Sequence, residues 1–222
     1  AAHFGVPQRR KRLLILCVRE GDGNERLPAP QPDLGTLFAR IRYGKTPPSD
    51  VGFFAERLRD PTDIALTTAA QALSDLPSLG PGATAQVAAY RTPATTAFQA
   101  WARAKMSDSV DCLRTPAVTP DTLERLRHVA PGQCIRDIPE DDRMGLARMF
   151  HSAYRRLHPS APSTALSTKY DCVYHYLHMR SLSLREYARL QAIPDHFSFP
   201  EYLVCRRHAY ELIGNSVPPR LV

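Results

Sequence analysis

The amino-acid sequence predicts a mixed α/β protein rich in loops, and three observations carry that prediction. A continuous apolar run, Leu13-Leu-Ile-Leu-Cys-Val18, sits between a basic cluster and Arg19-Glu-Gly-Asp-Gly-Asn24, the pattern of a strand buried on both faces. A helix is expected to begin at Leu184, because Ser183 stands three residues before Glu186 at capping-box spacing, and Pro194 stops it. Twenty prolines in 222 residues, where usage of about 5% gives roughly 11, favour turns over long regular elements.

In chain order, Phe4-Gly-Val-Pro-Gln-Arg-Arg-Lys-Arg12 leads straight into the apolar strand. Its four adjacent basic residues, Arg9 to Arg12, have three readings: a solvated strand entrance, a localisation signal or a phosphate-binding cluster. Thr67 to Leu76 reads as a short Ala-rich helix ended by Pro77. Pro120 to Val129 reads as another, capped by Thr119, with Pro120 at the first helical position and Leu123, Leu126 and Val129 facing inward. Turn-rich pieces such as Gly80-Pro81-Gly82 lie between them, and Tyr90, Phe98 and Trp101 read as core anchors. In the helix from Leu184, residues Leu184, Tyr187, Ala188 and Gln191 share one face, with Arg185, Glu186 and Arg189 carrying charge beside it. Near the end, Gly214 permits a tight turn, Asn215 or Ser216 can cap a following helix, and Pro218 and Pro219 suit its first turn.

Composition sets limits. At 43% hydrophobic residues the chain should fold, around one good core or two small ones. No run of 18 apolar residues suggests a membrane span, and no leader suggests secretion. Five cysteines without C-x-x-C spacing favour neither a disulfide framework nor a zinc site, which fits a reducing, intracellular compartment. The net charge of +7 suits a polyanionic partner.

The wording of three stretches is more specific. Arg180 to Asp195, Arg-Ser-Leu-Ser-Leu-Arg-Glu-Tyr-Ala-Arg-Leu-Gln-Ala-Ile-Pro-Asp, resembles motif IX of the DNA (cytosine-5)-methyltransferases. Tyr210-Glu-Leu-Ile-Gly-Asn-Ser-Val-Pro-Pro219 resembles motif X of that family, and Phe4 to Arg12 resembles motif VIII, with Gln8, Arg10 and Arg12 at its Gln-x-Arg-x-Arg positions. The resemblance implies the C-terminal part of an S-adenosylmethionine-dependent methyltransferase with a Rossmann-like α/β fold. Residues 1–20 would end the catalytic domain, 21–178 would form an inserted, loop-rich, mixed target-recognition domain, and 179–222 would return to the catalytic domain. Leu13 to Val18 would lie antiparallel in an otherwise parallel sheet, with Arg12 to Val18 in contact with the region after Tyr210.

The resemblance also implies roles. Arg12 and Arg10 would reach a flipped cytosine and its flanking phosphate, with Gln8 completing that catalytic set; the planar guanidinium suits such bidentate contacts. Asn215 and Ser216 would contact the carboxylate of S-adenosylmethionine beside a positive helix end. Arg185, Glu186, Arg189 and Gln191 would form the structural set of motif IX, while Arg155, Arg156 and His158 would contact the DNA backbone. The implied partner is double-stranded DNA, with no membrane and no metal, in the bacterial cytoplasm and in the setting of restriction-modification. Many members carry a His within the stretch where this chain reads Val110-Asp-Cys-Leu-Arg-Thr115.

Three family landmarks are missing: no cysteine lies in a Pro-Cys-Gln loop, and neither Glu-Asn-Val nor Phe-x-Gly-x-Gly occurs. The chain alone is therefore expected to be inactive, its missing N-terminal catalytic half lying in the same polypeptide or a partner chain. The absent initiator Met and the short stretch after Pro219 favour the C-terminal portion of one longer chain. A non-catalytic recognition subunit of a split methyltransferase is the alternative, and a degenerate DNA-binding protein comes third.

Overall fold

The computed structural model describes residues 5–10, 66–143, 153–200 and 207–219. The expected strand at Leu13–Val18 lies outside them, as does Arg12, so the contact expected between that strand and the region after Tyr210 does too. The chain divides into two compact units, Ala1–Arg10 with Leu66–Val222 and, separately, Lys11–Ala65; every described residue belongs to the first.

That unit is mixed α/β, built from short elements. Strand β1 (Gln8–Arg9) pairs in parallel with β5 (Ser163–Thr164), placing Gln8 opposite Ser163. Strands β2 (Val87–Ala89) and β3 (Ser109–Asp111) pair antiparallel, whereas β4 (Arg155–Arg156) and β6 (Val173–Tyr174) pair in parallel. The helices are α1 (Ala69–Leu73), α2 (Ala97–Arg103), α3 (Pro120–His128), α4 (Leu184–Leu190) and α5 (Arg207–Asn215).

Threonine or serine hydroxyls cap four of them: Thr68, Thr96, Thr119 and Ser183 each accept from a backbone N–H in the first turn. Helix α1 is shorter than the expected Thr67–Leu76, because the Ser74 N–H closes on Ala70 O and Asp75 then turns inward. Helix α3 follows its reading, with Leu126 and Val129 buried and Leu123 half-buried.

Helix α4 starts at Leu184 as its capping box requires, but ends before Pro194 can act. Ala192 takes a left-handed φ of +56°, its N–H bonds Arg189 O at 2.8 Å, and the Ile193 N–H bonds Ala188 O at 2.9 Å. This is a Schellman closure with alanine where glycine is the usual residue. The amphipathic expectation also gives way, since all seven residues of α4 are buried, charged ones included. The helix packs against α1 and against α5, and its Leu184, Tyr187 and Leu190 join Leu113, Leu157 and Ile213 in the main core. Burying such side chains contributes about 1.5–3 kcal/mol each. Phe98 is buried in the same core, with Tyr90 and Trp101 packed against it. A smaller cluster gathers Val129, Ile135 and Ile138.

Helix α5 comes unusually close to the chain at residue 167. A Cβ at Gly214 would meet Ser167 O at 2.2 Å, so glycine is required for approach rather than for the turn the sequence suggested. The helix expected after Ser216 lies beyond Pro219, outside the described residues. Helix α1, from the segment read as an insert, contacts α4 directly.

Candidate functional site

The charges of the 180–195 stretch are internal fastenings, each running to a different part of the fold. Arg180 donates both terminal nitrogens to Glu186, at 2.7 and 2.8 Å, and its Nε to Leu79 O at 2.8 Å. Burial alone pushes the Glu186 carboxyl up, but the Arg180 guanidinium overrides it and holds the group at about 2. Arg185 pairs with Asp111 of β3 and also donates to Phe197 O at 3.0 Å. Arg189 spans Asp75, at 2.5 and 3.2 Å, and Asp195, at 2.5 and 2.9 Å. Burial lowers the Arg189 pKa, yet its two carboxylates raise it overall. Tyr90 donates its hydroxyl to Asp195 at 2.7 Å, and Arg103 lies 3.5 Å from Asp75. Sequence reasoning missed Asp75, Asp111, Asp195 and Arg180 as partners; pairs up to 114 positions apart leave no periodic signal.

His175 is buried beside this network, its Nε2 3.8 Å from Glu186 Oε1. Burial lowers its pKa to about 4, against the partial counterpull of Glu186. Its Nδ1 accepts the backbone N–H groups of Leu177 and His178 at 3.0 and 3.2 Å, the arrangement of a neutral ring.

A second junction joins the two ends of the chain to α4. The fully buried Gln8 side chain donates Nε2 to Gln191 Oε1 at 2.7 Å and to Leu190 O at 3.3 Å. Gln191 in turn donates Nε2 to Ser216 O at 2.6 Å and to Ser216 Oγ at 3.1 Å. Arg10, 5% exposed, donates to Leu166 O at 3.1 Å and to Gly214 O at 2.6 Å. Its guanidinium ties β1 to α5 and to the residue-166 loop, each terminal nitrogen donating to a carbonyl.

The expected DNA-backbone contacts separate. Arg155 is half-exposed and donates to Gly132 O at 3.2 Å, and His158 is exposed. Arg156 is 7% exposed, donates to Val129 O and Tyr176 O at 2.9 Å each, and has its pKa lowered by burial. Those two bonds brace β4.

At the end of α5, Asn215 is exposed and Ser216 half-buried. The Ser216 hydroxyl donates to Ile213 O at 2.8 Å, and its backbone N–H bonds Leu212 O and Ile213 O at 3.0 and 3.2 Å. Both donors of Ser216 thus bond within the last turn of α5. Helix α5 ends here and presents its electronegative C-terminus. An exposed amide beside oxygen lone pairs and a negative helix end fits a zwitterionic amino-acid group, the amide for its carboxylate and the oxygens for its ammonium.

Among the described cysteines, burial pushes the Cys112 thiol up to about 12, with Asp111 adding to the shift, and burial raises Cys172 as well. Both shifts oppose thiolate formation. No cluster of three or more His, Cys, Asp or Glu able to hold a metal occurs among the described residues, and no described helix is long and apolar enough to cross a membrane.

Comparison with known proteins decides what this arrangement belongs to. The family model for the C-5 cytosine-specific DNA methylases matches residues 1–222. The chain belongs to this family. Among its relatives, the type II methyltransferase M.NgoFVII of Neisseria gonorrhoeae is 26% identical over 222 residues, 99% of this chain and 45% of that protein. M.BbvI of Brevibacillus brevis is 37% identical over 103 residues, 44% of this chain and 27% of that one. M.AquIB of Picosynechococcus is 32% identical over 114 residues, 47% of this chain but 76% of that protein. A prophage-encoded E. coli protein, solved as a candidate DNA modification methyltransferase, superposes with a TM-score of 0.54 at 22% identity, covering 72% of this chain and 45% of that one, which supports the methyltransferase fold. This C-5 cytosine methylase chain spans about half the length of the relative it matches end to end.

Proposed function

We propose that this chain is the C-terminal portion of a DNA (cytosine-5)-methyltransferase, recognising duplex DNA and completing the site that transfers methyl from S-adenosylmethionine to C5 of cytosine. The observation that carries the reading is the junction at Gln191, where the motif VIII strand, the motif IX helix and the motif X turn meet through consecutive hydrogen bonds. Segments 183 and 25 positions apart are brought together where the family's chemistry needs them adjacent.

The division of labour follows from the side chains. Arg12 acts at the extruded base, Arg155 and His158 at the DNA backbone, and Gln8 at the target side of the junction. Asn215 would hold the carboxylate of S-adenosylmethionine and the Ser216 oxygens its ammonium; that cofactor supplies the methyl group. Duplex cytosine hides C5, so the base must leave the stack at a cost of a few kcal/mol before reaction. The nucleophilic cysteine and the proton-relay carboxylate come from the other half, since this chain carries neither Pro-Cys-Gln nor Glu-Asn-Val.

A tritiated-donor assay on duplex DNA tests this. The chain alone should transfer nothing, and the chain joined to a segment bearing Pro-Cys-Gln and Phe-x-Gly-x-Gly should transfer methyl; transfer by the chain alone overturns the reading. One observation favours a split enzyme as the second possibility. The 114 residues matched in M.AquIB are 76% of it, so that type II methyltransferase is itself only about 150 residues long. Coding sequence for the early motifs running unbroken into Ala1 would exclude the split arrangement.

A further inference from the structure

We propose that Gln191 is a positioning residue of the methyl-transfer site, holding Gln8 and Ser216 in one fixed relation. The inference rests on the functional reading above and deepens it, moving Gln191 beyond a structural role in its helix.

Both amide orientations are dictated from backbone carbonyls, which can only accept. Ser216 O lies 2.6 Å from Gln191 Nε2, so the Gln191 amide must turn its nitrogen toward the motif X turn and its oxygen toward β1. That oxygen then demands a donor, and Gln8 Nε2 supplies it at 2.7 Å. Leu190 O, 3.3 Å away, accepts from the same nitrogen and reinforces the choice. Gln8 is left with its Oε1 directed away from both acceptors, buried and without a hydrogen-bond partner. Gln8 and Gln191 are each 0% exposed, so bulk water does not compensate that oxygen.

An unmet buried acceptor is costly and rarely kept without a use. Here that buried acceptor is held in one orientation, and Gln191 is what sets it. One amide therefore couples Gln8, which the functional reading sets at the target side, to the turn it sets beside the methyl donor. A shift at either end is transmitted to the other through two hydrogen bonds.

The test uses the completed enzyme, this chain with its catalytic half, as wild type, Gln191→Leu and Gln191→Glu. Gln191→Leu removes both links; Gln191→Glu keeps an acceptor for Gln8 but sets a carboxylate against Ser216 O. Calorimetry with S-adenosylhomocysteine should show about tenfold weaker binding for both variants, the size of effect expected for one buried hydrogen bond. Single-turnover methylation at saturating donor should fall about tenfold for Gln191→Leu and remain within about threefold for Gln191→Glu. Duplex affinity should stay at the wild-type value in both. Lower melting temperature with unchanged S-adenosylhomocysteine binding and unchanged single-turnover rate marks a merely structural residue and overturns the inference. So does a loss of duplex affinity as large as the loss of rate. Should Gln191→Leu fail to fold, Gln191→Glu decides: weaker S-adenosylhomocysteine binding with the rate retained supports the coupling, and unchanged binding overturns it. A wild type that transfers no methyl sinks the functional reading, and this inference with it; an active wild type with indifferent variants sinks this inference alone.

Discussion

Replacing Arg189 with Met tests the buried charge network at its centre. Arg189 and Asp75 are fully buried and Asp195 is 2% exposed. Met fills the space of the aliphatic stem, so the loss comes chiefly from two carboxylates left without their cation. Removing one partner of a buried ion pair costs about 3–5 kcal/mol. Arg103, 3.5 Å from Asp75, and the Tyr90 hydroxyl, 2.7 Å from Asp195, remain to soften the change, which places the expectation near the lower end, about 3 kcal/mol. At roughly 2–4 °C per kcal/mol for a chain of this size, the melting temperature should fall by roughly 6–12 °C. Urea unfolding followed by fluorescence reads it directly, because Trp101 is the chain's single tryptophan and lies on α2 with Arg103. Adding Asp75→Asn should recover part of the loss by removing one stranded charge. A loss under about 1 kcal/mol, the value of an exposed ion pair, would refute the assignment of these groups as a buried unit.

Further expectations follow from other parts of the fold. Gly214→Ala drives a methyl group into Ser167 backbone at 2.2 Å and should destabilise by about 1–3 kcal/mol or more, seen as a lower urea midpoint; an unchanged midpoint contradicts the close approach. Ala192→Gly relieves the left-handed φ of +56° at the end of α4 and should raise stability by about 0.5–1 kcal/mol. His175, near 4 in the folded chain and 6.5 ordinarily, takes its proton more readily when unfolded, so stability should fall as pH drops from about 6.5 toward 4 and then level off. Between pH 7 and pH 5 the fall is on the order of 2 kcal/mol, and His175→Gln should largely flatten it. Glu186 acts in a lower window: its contribution is present above the unfolded carboxylate pKa and is lost as pH falls through about 2.

What could be read from the sequence was local. The capping box at Ser183, the Ala-rich run before Pro77 and the Thr119-Pro120 start are each short-range signals, and the structure forms all three helices. The resemblance placed the motifs, yet it could not assign the fate of each cation. Arg10 and Arg156 look like surface charge in a basic sequence, and only the fold shows their guanidinium groups enclosed by carbonyls. Conversely, the charged face of α4 becomes interior because Asp75, Asp111 and Asp195 arrive from distant segments to meet it. Gly214 illustrates the same limit, for a turn glycine and a close-approach glycine are identical in sequence. The donor count at Ser216 likewise depends on how the last turn of α5 closes, which no spacing reveals.

Bisulfite sequencing of duplex DNA treated with the catalytic half alone, with this chain alone and with the two together tests the central claim most directly. The account predicts protected cytosines at one recurring sequence only when both are present. Protection by the catalytic half alone at that same sequence, or none with both, would contradict it.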